Sequence, residues 1–287
     1  MRYEYGSGNP IPWDENWEIS PYPYDYNGSI SFIEECINVT FDKAKANIMA
    51  AYTFENLNNT TCNTTILIPY VNDSNESNRP IITNLLLDGN NINYEWSDLT
   101  ENFSEVYQYE IWEDEHYLVE LKIPFEAYET KVVEIHYTRD YMVYDYYDNT
   151  EIYYSYRYFV GSARLWNHSI EEASFNFWVP KAICDNIQEI QEYWYPDHQG
   201  NNTSNITEYE NYYFLSVKYE NWTLPTRQDG SINYLNDFVD ISWSQKKPFY
   251  RLPIVRQFLF FLLPGIGIAS LPMIAFIASK KRKGTKL

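Results

Sequence analysis

The chain is poor in the residues that most often carry chemistry or cross-links. It has 3 cysteines, Cys36, Cys62 and Cys184, in 287 residues, which excludes a disulfide-dense secreted scaffold and leaves room for one internal bridge at most. Its 4 histidines, His116, His136, His168 and His198, form no His-Glu-x-x-His pair and no Cys/His spacing of a zinc site. Neither a Gly-x-Ser-x-Gly elbow nor a P-loop nor a dinucleotide fingerprint occurs, so covalent hydrolase and nucleotide chemistry have no sequence support. Basic residues are also scarce, 21 Lys and Arg against 40 Asp and Glu, for a formal net charge of −19. A polyphosphate needs a basic stripe, so nucleic acid is excluded as a partner. Acidic clusters such as Glu113-Asp114-Glu115 and Asp145 to Asp148 lack the glycine-broken ladder of a calcium loop and read as solvated surface. No catalytic residue, metal or cofactor is assigned.

What is present is, first, one long apolar run, FLFFLLPGIGIASLPMIAFIAS, over residues 258–279 and free of charge. At about 1.5 Å per residue it reaches roughly 33 Å, against a bilayer core of about 30 Å. It reads as a single transmembrane helix, kinked by Pro264 and Pro272, with the lipid bilayer as its partner. Residues 246–257 form a basic juxtamembrane segment, and residues 280–287, KKRKGTKL, a basic tail that is slightly richer in Lys and Arg, which favours the cytoplasmic side.

The opening residues MRYEYGSGNPIPWDENWE hold no apolar h-region, so read literally the chain is tail-anchored with a cytoplasmic body. The Asn-x-Ser/Thr triplets oppose that. They fall at Asn27, Asn38, Asn58, Asn59, Asn63, Asn72, Asn75, Asn102, Asn167, Asn201, Asn202, Asn205 and Asn221, where chance placement would give about three. Turns attract Asn, Ser and Thr together and explain part of the excess. The clusters NLNNTTCNTT, VNDSNESN and NNTSNIT favour an N-glycosylated extracytoplasmic body, its signal peptide lost by truncation or a misassigned start. In that compartment a Cys36–Cys62 bridge would close a short loop and add about 3 kcal/mol. Three buried thiols are the alternative.

The body reads as all-β. Residues 1–27, with Pro10, Pro12, Pro21 and Pro23, form an extended lead-in. Period-2 alternation then recurs: Ala46 to Phe54, Thr65 to Tyr70, Ile81 to Leu87 before the turn pair Asp88-Gly89, Tyr107 to Ile111, Tyr117 to Ile123, Val133 to Tyr137, Ile152 to Val160, Phe175 to Val179, Tyr213 to Tyr219 and Val239 to Trp243. About ten strands with intervening turns predict one or two antiparallel β-sandwiches. With an interruption at Tyr141 to Asn149, the expected domains are 28–145 and 146–245. Lys181 to Trp194, with Ile183, Ile187, Ile190 and Trp194 at a 3.6 period after Pro180, predicts one short helix.

Asp240-Ile241-Ser242-Trp243-Ser244 matches the Asp-x-Ser-x-Ser metal motif of integrin-type adhesion domains, but the apolar span follows too soon for the α/β domain such a site needs. The stretches KANIMAAYTFENL, TTILIPY and YLVELKIPFEAYETKVVEIHYTR resemble β-modules of membrane-anchored envelope proteins, including the vault and inter-alpha-trypsin type module. YYSYRYFVGSARLWNHSIEEASFNFWVP resembles a segment of prokaryotic envelope proteins. No functional residue carries over. The surplus of aromatics, 29 Tyr and 9 Trp, offers rigid amphipathic surface suited to a protein or glycan ligand. The expected role is a surface protein that binds a ligand or builds the envelope. Two alternatives are an envelope glycan hydrolase with paired carboxylates and a tail-anchored cytoplasmic-face adaptor.

Overall fold

In a computed structural model, the structure describes residues 18–19, 22–23, 29–43, 45–71, 81–98, 116–145, 150–159, 169–187, 191–193, 199–223, 238–248 and 252. The chain is all-β. Its strands are β1 (Glu18–Ile19), β2 (Tyr22–Pro23), β3 (Ile30–Phe41), β4 (Lys45–Asn56), β5 (Cys62–Val71), β6 (Ile81–Leu87), β7 (Asn90–Asn91), β8 (Glu95–Asp98), β9 (His116–Phe125) and β10 (Thr130–Asp140). They continue with β11 (Met142–Tyr144), β12 (Glu151–Phe159), β13 (Ile170–Pro180), β14 (Gln191–Tyr193), β15 (Gln199–Glu208), β16 (Tyr212–Thr223) and β17 (Phe238–Lys246).

Contacts divide the chain into two units. The larger, residues 1–142 and 154–243, holds two sheets. One runs β15-β16-β13-β3-β4-β10-β6-β7 and the other β14-β17-β12-β1-β5-β9-β8, with β2 also on β5. Alternation explains the strands: Ala46, Ile48, Ala50, Tyr52 and Phe54 are all buried while the residues between them are not, and Val133, Ile135 and Tyr137 repeat this on β10. Asp88 and Gly89, at φ 50° and 75°, make the two-residue turn between β6 and β7, and the Asp88 carboxylate accepts the Val132 N–H at 2.9 Å. Both central residues of such a hairpin need positive φ, which Asp and Gly tolerate.

The inner faces of the two sheets meet through aromatic rings. Phe41 of β3 touches Tyr156 of β12 (5.4 Å), Trp243 of β17 (4.7 Å), Phe177 of β13 (6.4 Å) and Tyr141 (5.3 Å). Phe175 packs on Tyr158, Tyr219 and Trp222. Much of the tyrosine surplus is therefore core: Tyr52, Tyr137, Tyr154, Tyr156, Tyr158, Tyr213 and Tyr219 are all buried.

Three expectations are corrected. Position 145 does not separate two sandwiches, because β3 pairs in parallel with β13, from Glu34↔Glu172 to Thr40↔Trp178, so one sheet draws on both halves. Over residues 181–186 and 191–193 there is no helix. The Ile183 N–H donates to the Pro180 carbonyl (3.0 Å) in a turn, Ile183 and Cys184 are buried side by side, and β14 pairs with β17. Of the residues that set the 3.6 period, Ile183 alone is buried among the described residues, and Ile190 and Trp194 lie outside them. The Cys36–Cys62 bridge is absent and all three cysteines are free thiols. Cys36 is on a strand of one sheet and Cys62 on a strand of the other, and burial raises the pKa of Cys62.

The smaller unit comprises residues 143–153 and 244–287. Lys247 is buried, its Nζ 2.8 Å from Asp145 Oδ1, and its N–H donates to the Thr150 carbonyl at 2.8 Å. The run 258–279, the tail 280–287 and the strand expected over Tyr107 to Ile111 lie outside the described residues. Among the described residues no helix is long and apolar enough to cross a membrane.

Phe41→Ala would remove the ring that four other aromatics share and should cost about 3–5 kcal/mol, read as a lowered urea midpoint with an unchanged slope.

Candidate functional site

The outer face of the β15-β16-β13-β3-β4 sheet collects the unusual side chains. Its register aligns outward residues into rows across the strands. One row reads Asn205, Ser216, Asn176, Asn38 and Met49, and the next reads Thr207, Phe214, Trp178, Thr40 and Asn47. In the first row the Ser216 hydroxyl donates to Asn176 Oδ1 (2.7 Å), Asn176 Nδ2 donates to Asn38 Oδ1 (3.2 Å) and Asn38 Nδ2 donates to Cys36 Sγ (3.4 Å). These bonds fix three side chains and leave each amide with capacity toward solvent.

The second row is aromatic. Trp178 lies 4.4 Å from Phe214 and 5.5 Å from Tyr209, and Tyr212 stands at 6.4 Å. Tyr209 and Tyr212 are 47% and 38% exposed, so rings remain on the surface beside a line of amides. Rows on one face are about 7 Å apart, the rise of two strand residues. A flat amphipathic ligand can thus lie on rings and bond to amides at once.

Inside the sandwich a second polar group stands out. Glu35 is wholly buried and accepts the Tyr158 hydroxyl at 2.7 Å, while Tyr158 and Tyr52 hydroxyls lie 3.1 Å apart. Glu35 reaches the core because β3 shifts register between Phe32 and Glu34. Ile30 and Phe32 point inward before the shift, and Glu35, Ile37, Val39 and Phe41 after it. Burial first, then the neighbouring Glu35, Tyr52 and Tyr137, hold the Tyr158 pKa well above that of a free phenol. Burial, with Tyr154 and Asp42, raises Tyr141 too, whose hydroxyl donates to the Asp42 carbonyl.

The candidate glycosylation sites separate by place. Asn58, Asn59 and Asn63 are exposed at or beside the β4–β5 turn. That turn is held by buried Asn56, whose Nδ2 donates to the Thr60 and Glu126 carbonyls at 2.8 Å each. Asn201, Asn202 and Asn205 are on β15 and Asn221, at φ 51°, is on β16. Asn38 sits mid-sheet with its amide engaged. Asn27, Asn72, Asn75, Asn102 and Asn167 lie outside the described residues. In Asp240-Ile241-Ser242-Trp243-Ser244, Ile241 and Trp243 are core residues of β17. No three His, Cys, Asp or Glu among the described residues could hold a metal ion. Neither the amide row nor Glu35 was foreseen. Their signal is the apolar phase change along β3, from even positions at Ile30 and Phe32 to odd ones from Ile37 onward.

No family model matches the sequence, and no curated protein matches it. Among solved structures, the fold is similar to that of a "putative nutrient binding protein" from Legionella pneumophila, with TM-score 0.54, 12% identity and coverage of 79% of this chain and 70% of that one. An M1 zinc metallopeptidase from Deinococcus radiodurans aligns at TM-score 0.37 and 10% identity, over 75% of this chain and 42% of that one. At these identities the first likeness is one of fold alone, and the second carries no weight.

Unfolding frees Tyr158 and Tyr141 to ionise near pH 10, whereas the folded chain holds both phenols neutral to higher pH. The stability this gives is fully present below pH about 10 and is lost as pH rises beyond it. Tyr158→Phe should lower the urea midpoint at neutral pH, by about 1–3 kcal/mol for the lost donor to Glu35, and should flatten the alkaline decline. An alkaline slope identical to that of the parent would show that Tyr158 does not titrate with unfolding.

Proposed function

We propose that this chain is a single-pass surface protein, anchored by residues 258–279 with residues 280–287 inside, whose extracytoplasmic β body binds a glycan on the outer face of the β15-β16-β13-β3-β4 sheet. The observation that carries the binding is the pairing of rows: Trp178, Phe214, Tyr209 and Tyr212 supply faces on which a sugar ring stacks, and Asn176, Asn38 and Ser216 supply donors and acceptors for its hydroxyls. Stacking on a flat ring suits the apolar face of a pyranose, and fixed amides suit its equatorial hydroxyls, with little ordering cost because the sheet is rigid. Glycans attached at Asn58, Asn59 and Asn63 would stand at the β4–β5 turn. Asn205 stands in the amide row itself, so this reading needs its side chain bare. The anchoring rests on the apolar run and the outward orientation on the excess of acceptor triplets.

Two measurements test it. Titration of the protein in detergent with oligosaccharides from the cell envelope should give saturable binding that weakens at least about tenfold in Trp178→Ala, roughly 1.4 kcal/mol, while the thermal midpoint stays close to the parent's. Protease treatment of intact cells carrying a tag before Lys246 should release the body, with glycan mass on peptides containing Asn58, Asn59 or Asn63 and none on Asn205. A protected body with bare acceptor sites would place it on the cytoplasmic side and sink the surface assignment.

A further inference from the structure

The two sheets have four ends, and three of them close on short strands: β7, β14 and β8 hold 2, 3 and 4 residues. The fourth end is β15, a strand of 10 residues. After a register shift between Gln199 and Asn201, its pairing is regular from Asn201↔Glu220 to Glu208↔Tyr213, and β16 is its one pairing partner among the described residues. Thr203, Ser204, Asn205 and Ile206 are all exposed. A strand with one neighbour turns about half of its backbone N–H and C=O groups away from it. Along this stretch those groups face solvent.

Folded proteins blunt a long edge with lysine, proline, bulges or inward charge, because an open edge pairs with any strand that reaches it. Between Thr203 and Thr207 the sequence TSNIT has none of these, and its Thr and Ile favour extended backbone. Glu208 is the one charged residue of the strand, and Lys181 offsets it, with Nζ 2.6 Å from its Oε1. On a chain of net charge −19, a second copy can approach this neutral edge without strong local repulsion. Ile206 adds an apolar reason. It stands level with Leu215, which is wholly buried on the inner face, yet Ile206 is 39% exposed.

We propose that β15 pairs antiparallel with β15 of a second copy of this chain, joining two outer faces into one continuous sheet. Symmetry favours this occupant over a free peptide. Antiparallel pairing of identical strands generates a two-fold axis normal to the sheet, and such an interface buries the same patch of both copies. Both outer faces then look the same way. Both copies of β17, which belong to the sheet behind and lead on toward residues 258–279, lie on the opposite side. Two anchors can thus enter one bilayer, where confinement raises the effective concentration of copies. This step rests on the anchoring by residues 258–279, and neither on the side of the membrane that the body occupies nor on glycan binding. Residues directly opposite in an antiparallel pair share a face, so Ile206 meets inner-face residues of the other copy and loses its exposure. Pairing needs Asn205 without a glycan, as ligand binding does.

Mass measurement of the full chain in detergent over a range of concentrations, with hydrogen exchange on the same samples, tests it. A dimer is expected, in which alternate backbone amides between 203 and 207 exchange at least about tenfold more slowly than in the diluted monomer. Ser204→Lys with Ile206→Lys should raise the dimer dissociation constant at least about tenfold, while the thermal midpoint stays near the parent's. Trp178→Ala should leave the dimer unchanged, and so should Gly265→Leu in the apolar run. A dimer lost in Gly265→Leu is held by the anchors and overturns the proposal, as does one undiminished in the folded double-lysine variant. A chain that stays monomeric overturns it too, including one whose amides at 203–207 are protected by a bound peptide. Protease treatment of intact cells bears on the surface assignment alone, so the two readings fail separately.

Discussion

The parallel pairing of β3 with β13 is the constraint on which the rest of the body depends. It runs from Glu34↔Glu172 to Thr40↔Trp178, joins a strand near residue 35 to one near residue 175, and turns two antiparallel sets, β3-β4-β10-β6 and β13-β16-β15, into one sheet. The continuity of the outer face across its two halves follows. The bond from Asn176 to Asn38 is made across that seam, and Thr40 lies level with Trp178 because of its register. A surface groove also straddles it, with Glu34 on one strand and Glu172 on the other. Parallel pairs need a long crossover, and here that crossover contains most of the second sheet.

The same strand carries the register shift that turns Glu35 inward. An isolated carboxylate in a core of phenylalanine and tyrosine would be costly, and the Tyr158 hydroxyl at 2.7 Å offsets part of that cost. The arrangement ties the sheets together, since Glu35 and Tyr52 belong to one and Tyr158 to the other. Tyrosine suits the position for two reasons: its ring packs against Phe175 and its hydroxyl meets a polar atom in the interior.

How much of this was legible depended on the range of the signal. The apolar alternation of β4, β10, β13, β16 and β17 is local, and each of those strands could be read from Ala46, Val133, Phe175, Tyr213 and Val239 onward. Asp88-Gly89 announced its own turn. β15 could not be read that way, because QGNNTSNITE has a single aliphatic residue, Ile206, and is a strand through its pairing with β16. Lys181 to Trp194 promised a helix through the spacing of Ile183, Ile187, Ile190 and Trp194, but only Ile183 of these is buried among the described residues, in a turn after Pro180. The outward positions were the least legible. Asn38, Asn176, Ser216 and Asn205 look like ordinary polar strand residues until the register places them in line, and Trp178 and Phe214 meet only across two strands.

The seam between β3 and β13 has a consequence for how the chain is made. Asn38 and its partner Asn176 are separated by 138 positions. At a synthesis rate of roughly 5–20 residues per second, β3 waits about 7–28 s for its neighbour. During that time β4 covers one edge of β3 and nothing of the native fold covers the other. An uncovered edge is a template for pairing with other chains. The segment that bears this risk, Glu34 to Thr40, sets Glu34, Glu35, Asn38 and Thr40 among its aliphatic residues, and the charges of Glu34 and Glu35 act against edge-to-edge association of nascent chains on one messenger.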